Sequence, residues 1–223
     1  MLKSVYNYRI EIYFLSLLSL LFGSIFFHQE VFHLYIIPIL SIINISVGIL
    51  LIPRKNVVYK FLIVIFLIAL LTTLFEVFFT ATKTIGYFKF STYFLFYIIV
   101  TYEIILKVWK NKKVNKTVII GLMSGYISLG FIALFLFLSI ELANPNSFTG
   151  LTQTDNFIRF QIDELLYLSY ISLMTIGFGD IVPVTPIAQK ATILIGLLGQ
   201  FYMVILTAII VGKFLNQQKK TSE

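Results

Sequence analysis

Residues 173–180 have the sequence Leu-Met-Thr-Ile-Gly-Phe-Gly-Asp, which is the most informative stretch of this chain. Gly177 and Gly179 alternate with larger residues, and glycine adopts backbone angles that are closed to other residues. This alternation lets successive carbonyl groups point to the same side of the chain, where a row of oxygens can replace the water around a dehydrated cation. The Thr175 hydroxyl adds one more oxygen at the end of the row.

The flanks of this stretch place it in a membrane. A helix needs about 20 apolar residues to cross the hydrocarbon core. The preceding apolar run, 162–174, is too short to span, whereas the following run, 187–214, is long enough. Non-helical backbone at membrane depth is tolerated only where protein buries it or where it lines a water-filled path. A short re-entrant helix and a glycine-rich hairpin before a full span meet that condition.

The whole chain has the composition of a membrane protein. Of its 223 residues, 59% are hydrophobic and 12% are charged, and its mean hydropathy is +0.95. Soluble domains are about 45–50% apolar and about 25% charged. We therefore predict an all-α membrane protein with six transmembrane helices and the re-entrant segment. The predicted spans are 8–27, 34–52, 57–80, 90–108, 117–141 and 187–214.

The positive charges predict the orientation, because short cytoplasmic loops carry an excess of Lys and Arg. With the N-terminus inside, 13 of the 17 positive residues lie in cytoplasmic segments. The four on the outside are Lys83, Lys89, Arg159 and Lys190. We therefore expect a multi-pass protein of the plasma membrane with both termini in the cytoplasm. The apolar run 12–27 is longer than a signal-peptide core, so we take it as part of the first span.

Residues 175–180 resemble the selectivity filter of potassium channels, for which the family pattern is T-[VI]-G-[YF]-G-[DN]. The resemblance covers roughly the C-terminal half of the chain, and the six-span layout is similar to that of the voltage-gated-like superfamily. The matching segments are 117–141 as the outer helix, 162–174 as the pore helix, 181–186 as the loop after the filter and 187–214 as the inner helix.

The resemblance implies a homotetramer in the lipid bilayer that conducts K⁺ passively and needs no cofactor. Four copies are expected because each chain contributes one wall of carbonyls and cyclic symmetry closes the ring. Asp180 would lie at the outer mouth. The residues implied in the K⁺ filter itself are Thr175, Ile176, Gly177, Phe178 and Gly179.

The last span contains three further residues to which the resemblance assigns a role. Gly199 lies where the family often has a hinge glycine, although a close-packing site is an equally open interpretation. Met203 and Thr207 would line the inner cavity below the filter.

Two departures from the family remove polar groups that brace the filter. Phe178 replaces the commoner tyrosine, and Ile171 lies where some relatives carry a glutamate. The topology also places four acidic residues outside, where they would either steer cations toward the mouth or belong to a solvated loop. These are Glu141, Asp155, Asp163 and Glu164.

The chain is expected to divide into a four-helix domain, 1–110, and a pore domain, 111–223. A voltage sensor needs several positive charges inside its fourth span. The stretch 90–106 contains Glu103 but no Lys or Arg. The later lysines, Lys107, Lys110, Lys113 and Lys116, recur at every third residue but have polar neighbours, which favours a basic connector near anionic lipid. Strong voltage sensing is therefore not expected.

A few other residues inside the spans have specific predictions. Asn44 is expected to form an interhelical hydrogen bond, and the Gly121–Gly125 pair is expected to allow close helix packing. Glu76 near the end of the third span either snorkels or pairs with a charge such as the nearby Lys83, or takes part in sensing or a proton response.

The sequence also argues against several other classes of protein. It has no cysteine, and His28 and His33 lack partners for a metal cluster. No nucleophile, base and orienting group occur together, so we do not expect an enzyme. The net charge of +7 is explained by membrane topology rather than by nucleic-acid binding. Two alternatives stay open, a weakly selective monovalent cation channel and a non-conducting subunit that modifies other channels.

Overall fold

The computed structural model describes residues 8–28, 31–53, 57–78, 83–111, 113–152 and 157–222. Helices make up nearly all of the described secondary structure, in agreement with the predicted all-α class. They are α1 (Arg9–Phe22), α2 (Ile37–Leu50), α3 (Val57–Phe78), α4 (Lys83–Lys110), α5 (Lys116–Ala143), α6 (Phe157–Leu173), α7 (Pro186–Phe201) and α8 (Thr207–Ser222). A two-stranded antiparallel sheet of β1 (Phe148–Thr149) and β2 (Val182–Pro183) was not predicted.

Five helical segments of the described chain are long and apolar enough to cross a membrane. They are Phe32–Leu50, Val57–Phe75, Gly86–Lys110, Lys116–Ala143 and Pro186–Leu215. The predicted first span, 8–27, differs from these. Its α-helix has 14 residues and is followed by a 3₁₀ turn, Gly23–Ile25. The helix is about 21 Å long, which is shorter than the hydrocarbon core of about 30 Å.

The chain forms two compact units. As far as they are described, one comprises Met1–Asn111 and Asn115–Gly125, and the other comprises Lys112–Val114 and Tyr126–Glu223. The helix α5 runs through the point of division. The expected boundary separates a four-helix domain, 1–110, from a pore domain, 111–223, and it stays a prediction.

A buried polar cluster links three helices of the first unit. The Asn44 amide on α2 donates a hydrogen bond to the Ser16 hydroxyl on α1 at 2.8 Å. The Tyr97 hydroxyl on α4 donates to the Asn44 carbonyl oxygen at 3.2 Å. All three residues are buried. The predicted interhelical hydrogen bond of Asn44 is confirmed, and Asn44 bridges two other helices.

Small residues allow close approach within the same unit. A Cβ atom at Gly48 would lie 2.5 Å from the Phe96 ring, and one at Gly121 would lie 3.1 Å from the Ile10 side chain. The packing role predicted for Gly121 agrees with this contact. The predictions for Glu76 and Lys83 concern side chains that lie outside the described part of the structure.

We expect Asn44→Ala to lower the free energy of unfolding by about 1–2 kcal/mol, because it removes two buried interhelical hydrogen bonds. Ser46→Ala is the matched control, since the Ser46 hydroxyl donates only to Ile42 of its own helix. Thermal unfolding of both purified variants measures the difference. Equal stability of the two variants would show that the cluster does not hold the helices together.

Candidate functional site

The residues singled out by the sequence follow the C-terminal end of α6, and we call them the signature segment (residues 175–180). The last carbonyls of any helix lack partners inside it. Here amides of the signature segment itself supply partners for these carbonyls. The Ile176 and Gly177 amides donate to the Ile171 carbonyl at 2.8 and 3.4 Å, and the Thr175 amide donates to the Ser172 carbonyl at 3.1 Å. The start of the signature segment is therefore folded back onto α6.

The backbone of the signature segment alternates in handedness. Thr175, Gly177 and Gly179 have φ angles of 57°, 57° and 82°, whereas the described residues between them do not have positive φ. A Cβ atom at Gly177 or Gly179 would meet no atom within 4 Å. Glycine is therefore needed at these positions for its backbone conformation and not because a side chain would clash. Positive φ is unusual for a β-branched residue such as Thr175 and marks local strain, which clusters at functional sites.

The carbonyl groups of residues 175–179 accept none of the backbone hydrogen bonds found outside helices and strands in the described chain. All five residues are exposed in the single chain, and Phe178 is 71% exposed. Free carbonyls in a row are oxygen ligands suited to a weakly held monovalent cation.

Tyr170 of α6 connects this helix to α5. The Tyr170 hydroxyl donates a hydrogen bond to the Ile127 carbonyl at 2.8 Å. Its ring lies over Gly130, where a Cβ atom would be 2.3 Å from the ring. Gly130 thus makes room for the residue that anchors α6.

Helix α7 approaches the end of α6 from another direction. A Cβ atom at Gly199 would lie 1.9 Å from the Leu173 carbonyl oxygen, so only glycine fits. The Tyr126 hydroxyl of α5 also donates to that carbonyl, at 3.4 Å. Gly199 is therefore a close-packing site in this conformation, and its predicted role as a hinge stays a prediction.

A π-helical turn, Tyr202–Leu206, separates α7 from α8 and was not predicted. Such turns are rare and often occur at functional sites. Tyr202 and Leu206 are buried, whereas Met203 and Thr207 are exposed in the single chain. This exposure leaves Met203 and Thr207 free to line a cavity, and that role stays a prediction.

The Asp180 end of the segment lies against the loop after α5. Gly150 has a φ of 91°, and a Cβ atom there would lie 2.1 Å from the Asp180 carbonyl oxygen. The sheet continues this contact, because Thr149 pairs with Val182 and Phe148 pairs with Pro183. Gly150 thus allows a close approach that the sequence analysis missed.

Asp180 is held by a residue that the sequence analysis also missed. The Tyr167 hydroxyl of α6 forms a hydrogen bond with the Asp180 carboxylate. This bond lowers the pKa of Asp180 and raises the pKa of Tyr167. Tyr167 precedes Ile171 by four residues and so shares its face of α6. From that spacing, Tyr167 could have been identified as a polar residue that supports the segment in place of the groups missing at Ile171 and Phe178.

The prediction for Glu141 is wrong, because this residue is neither a steering charge nor part of a solvated loop. It is 2% exposed, and its carboxylate accepts hydrogen bonds from the Asn146 amide at 2.7 Å and the Phe148 amide at 3.2 Å. Glu164 accepts from the Thr152 amide at 2.9 Å and also from the Thr152 hydroxyl. Asp155 lies outside the described residues.

Comparison with known proteins supports one class. The family model described as "Ion channel" matches residues 122–216, which include the signature segment and the helices around it. Neither the curated proteins nor the solved structures contain a match to this chain. Together with the apolar helices, the family match supports an ion channel that crosses the membrane several times.

We expect Gly199→Ala to destabilise the fold by about 1–3 kcal/mol, because the new methyl group would overlap the Leu173 carbonyl. Gly196→Ala is the matched control one turn earlier. Its Cβ atom would lie 3.7 Å from the Ser172 carbonyl oxygen, an ordinary contact. Thermal unfolding should separate the two variants, and equal loss in both would contradict the packing role of Gly199.

We expect Tyr167→Phe to raise the pKa of Asp180, since the hydrogen bond that favours its charged form is lost. Because the pKa of Asp180 is depressed in the folded protein, its contribution to stability is present above its unfolded pKa. That contribution is lost as the pH falls through the folded pKa. An NMR titration of the carboxyl carbon measures the shift, and an unchanged pKa would show that Tyr167 does not hold Asp180.

Proposed function

We propose that this chain is one subunit of a potassium-selective channel, in which four copies surround a single pore and K⁺ crosses passively. One observation carries the proposal. Positive φ at every second residue of the signature segment is the alternation that turns successive carbonyls to one side. These carbonyls have no backbone partner among the hydrogen bonds of the described chain outside helices and strands.

The proposed filter works by replacing the hydration shell of the ion. Four copies supply successive rings of carbonyl oxygens from residues 175–178, and the Thr175 hydroxyls add a ring at the inner end. Gly179 allows the outer turn, and Asp180 lies at the outer mouth. Since no proton or electron is transferred, the residues act by position alone.

Apolar surface around the signature segment supports assembly from several copies. In the single chain Phe178 is 71% exposed, Ile193 is 62% exposed and Phe201 is 55% exposed. Phe178 belongs to a segment whose backbone needs water and ions on one side, so lipid is a poor cover for its ring. A neighbouring copy related by cyclic symmetry would cover it.

Voltage dependence is expected to be weak. Moving one charge through the membrane field yields about 2.3 kcal/mol per 100 mV, so a sensor carries several charges. The buried side chains on the described part of α4 are all uncharged. They are Thr92, Tyr93, Phe96, Tyr97, Val100, Thr101, Ile104 and Val108. In addition, Tyr97 is tied to Asn44, which opposes sliding of α4.

The layout we propose has six spans with both termini in the cytoplasm of a plasma-membrane protein. Five spans are long and apolar enough within the described chain. The region of α1 supplies the sixth span, because the apolar run 8–27 is longer than the 14-residue α-helix that it contains. An even number of spans returns the C-terminus to the side of the N-terminus.

Reversal potentials test the selectivity. The current through the purified protein in a planar bilayer, with K⁺ on one side and an equal concentration of Na⁺ on the other, should reverse far from zero, in the direction set by K⁺. Each tenfold preference displaces the reversal potential by about 59 mV. A reversal near zero with clear current would instead favour the weakly selective cation channel. A tetramer that never conducts would favour the non-conducting subunit.

Gly177→Ala should abolish selective K⁺ current, because a side chain disfavours the positive φ that the alternation needs. Gly212→Ala is the control in α8, where a Cβ atom also meets nothing within 4 Å but φ is not positive. Selective current that survives in Gly177→Ala would contradict the proposed filter.

A further inference from the structure

Three helices of the first unit meet where α1 begins and α4 ends. A Cβ atom at Gly121 of α5 would lie 3.1 Å from the Ile10 side chain of α1 and 3.4 Å from the Val108 side chain of α4. Arg9 directly precedes Ile10, and Lys107 directly precedes Val108. The contact at Gly121 therefore brings two cationic residues to the same end of the first unit.

Arg9 and Lys107 lie close enough to act on each other electrostatically. Lys107 is repelled by Arg9 and attracted by Glu103, which lies one turn earlier on α4. All three residues are half-buried. Together they carry two positive charges for one negative charge, and like charges repel each other more strongly away from water. An anion between Arg9 and Lys107 would relieve this repulsion.

Glu11 of α1 is near this group in sequence but faces elsewhere. It follows Arg9 by two residues, which turns an α-helix by about 200°. Its Oε2 atom is buried and has no hydrogen-bond partner among the described residues. Glu11 is therefore poorly placed to neutralise the charges of Arg9 and Lys107.

Exposed aromatic residues mark the depth of this end in the membrane. Tyr8 directly before α1 is 59% exposed, and Trp109 in the last turn of α4 is 56% exposed. Amphipathic rings of this kind prefer the interface between hydrocarbon and water. Arg9 and Lys107 are within two residues of these rings, so they lie at the level of the lipid headgroups.

We propose that Arg9 and Lys107 bind the phosphate group of an anionic phospholipid between the start of α1 and the end of α4. Arginine offers phosphate a planar pair of N–H donors, and lysine adds a point charge. A lipid fits better than free phosphate because Leu15 and Tyr102, farther along the same helices, are exposed and can be covered by acyl chains. This site depends neither on K⁺ selectivity nor on the orientation of the chain, since both faces of a bilayer carry phosphates.

Native mass spectrometry of the purified full chain tests the site by counting the lipids that stay bound. The protein is incubated with phosphatidylglycerol or with phosphatidylcholine of the same acyl chains. We expect phosphatidylglycerol to be retained preferentially. Arg9→Gln and Lys107→Gln should each weaken its retention about five-fold, which is the usual contribution of one basic residue near anionic lipid. Equal retention of the two lipids by the unchanged protein would overturn the proposal.

Lys60→Gln is the matched control for charge, because it removes one positive charge from an exposed side chain near the start of α3. We expect retention to stay unchanged in this variant. A loss equal to that in Arg9→Gln would assign binding to surface charge in general and overturn the site. Arg9→Lys keeps the charge and should restore most of the retention, and no recovery would contradict binding of a phosphate.

The unchanged protein provides an arm that decides the matter even if a substitution prevents folding. Amide hydrogen exchange is compared in bilayers of phosphatidylglycerol and of phosphatidylcholine. The first amides of α1, at residues 9–11, have no partner inside the helix. We expect their exchange to slow in phosphatidylglycerol, whereas exchange at residues 57–59, in the first turn of α3, should not change. The absence of this difference would overturn the proposal.

Inorganic phosphate distinguishes the source of the phosphate group. It is added to the protein that holds phosphatidylglycerol, at the same concentration as the lipid. We expect the lipid to stay bound, because its acyl chains add contacts that the free ion lacks. Displacement at equal concentration would assign the site to free phosphate and overturn the lipid. Since the readout is bound mass and not current, failure of this site is distinct from failure of the proposed K⁺ filter.

Discussion

The central constraint on this protein is that backbone amides and carbonyls at membrane depth need partners. In the signature segment, the amides and the carbonyls differ in how they meet this constraint. Its first amides donate to the carbonyls of Ile171 and Ser172 at the end of α6. Its own carbonyls are left for a ligand, which in our proposal is K⁺. The site therefore consists of backbone, and the surrounding side chains act by holding that backbone in place.

Three contacts hold the segment and the end of α6 in place. Tyr170 anchors α6 to the Ile127 carbonyl of α5. Gly199 lets α7 pack directly on the Leu173 carbonyl. Tyr167 holds the Asp180 carboxylate at the other end. The segment therefore has polar support even though Phe178 replaces the commoner tyrosine, because Tyr167 of α6 supplies a hydroxyl.

Local features were predictable from the sequence, and features that depend on tertiary contacts were not. The glycine alternation and five of the six apolar runs indicate structure directly, since φ preference and span length are local properties. Glu141 looked like an outer charge because its amide partners follow it in a tight loop that hydropathy does not reveal. The 14-residue α1 and the π-helical turn at Tyr202–Leu206 likewise have no signature in hydropathy.

The most direct test of the filter is to locate the ion. Crystals of the reconstituted protein grown in Rb⁺, which is chemically close to K⁺ and scatters anomalously, would show where the cation binds. We expect a column of anomalous density on a four-fold axis, ringed by the carbonyls of residues 175–178 from four copies. Rb⁺ density elsewhere, or copies arranged without a shared axis along the signature segments, would contradict it.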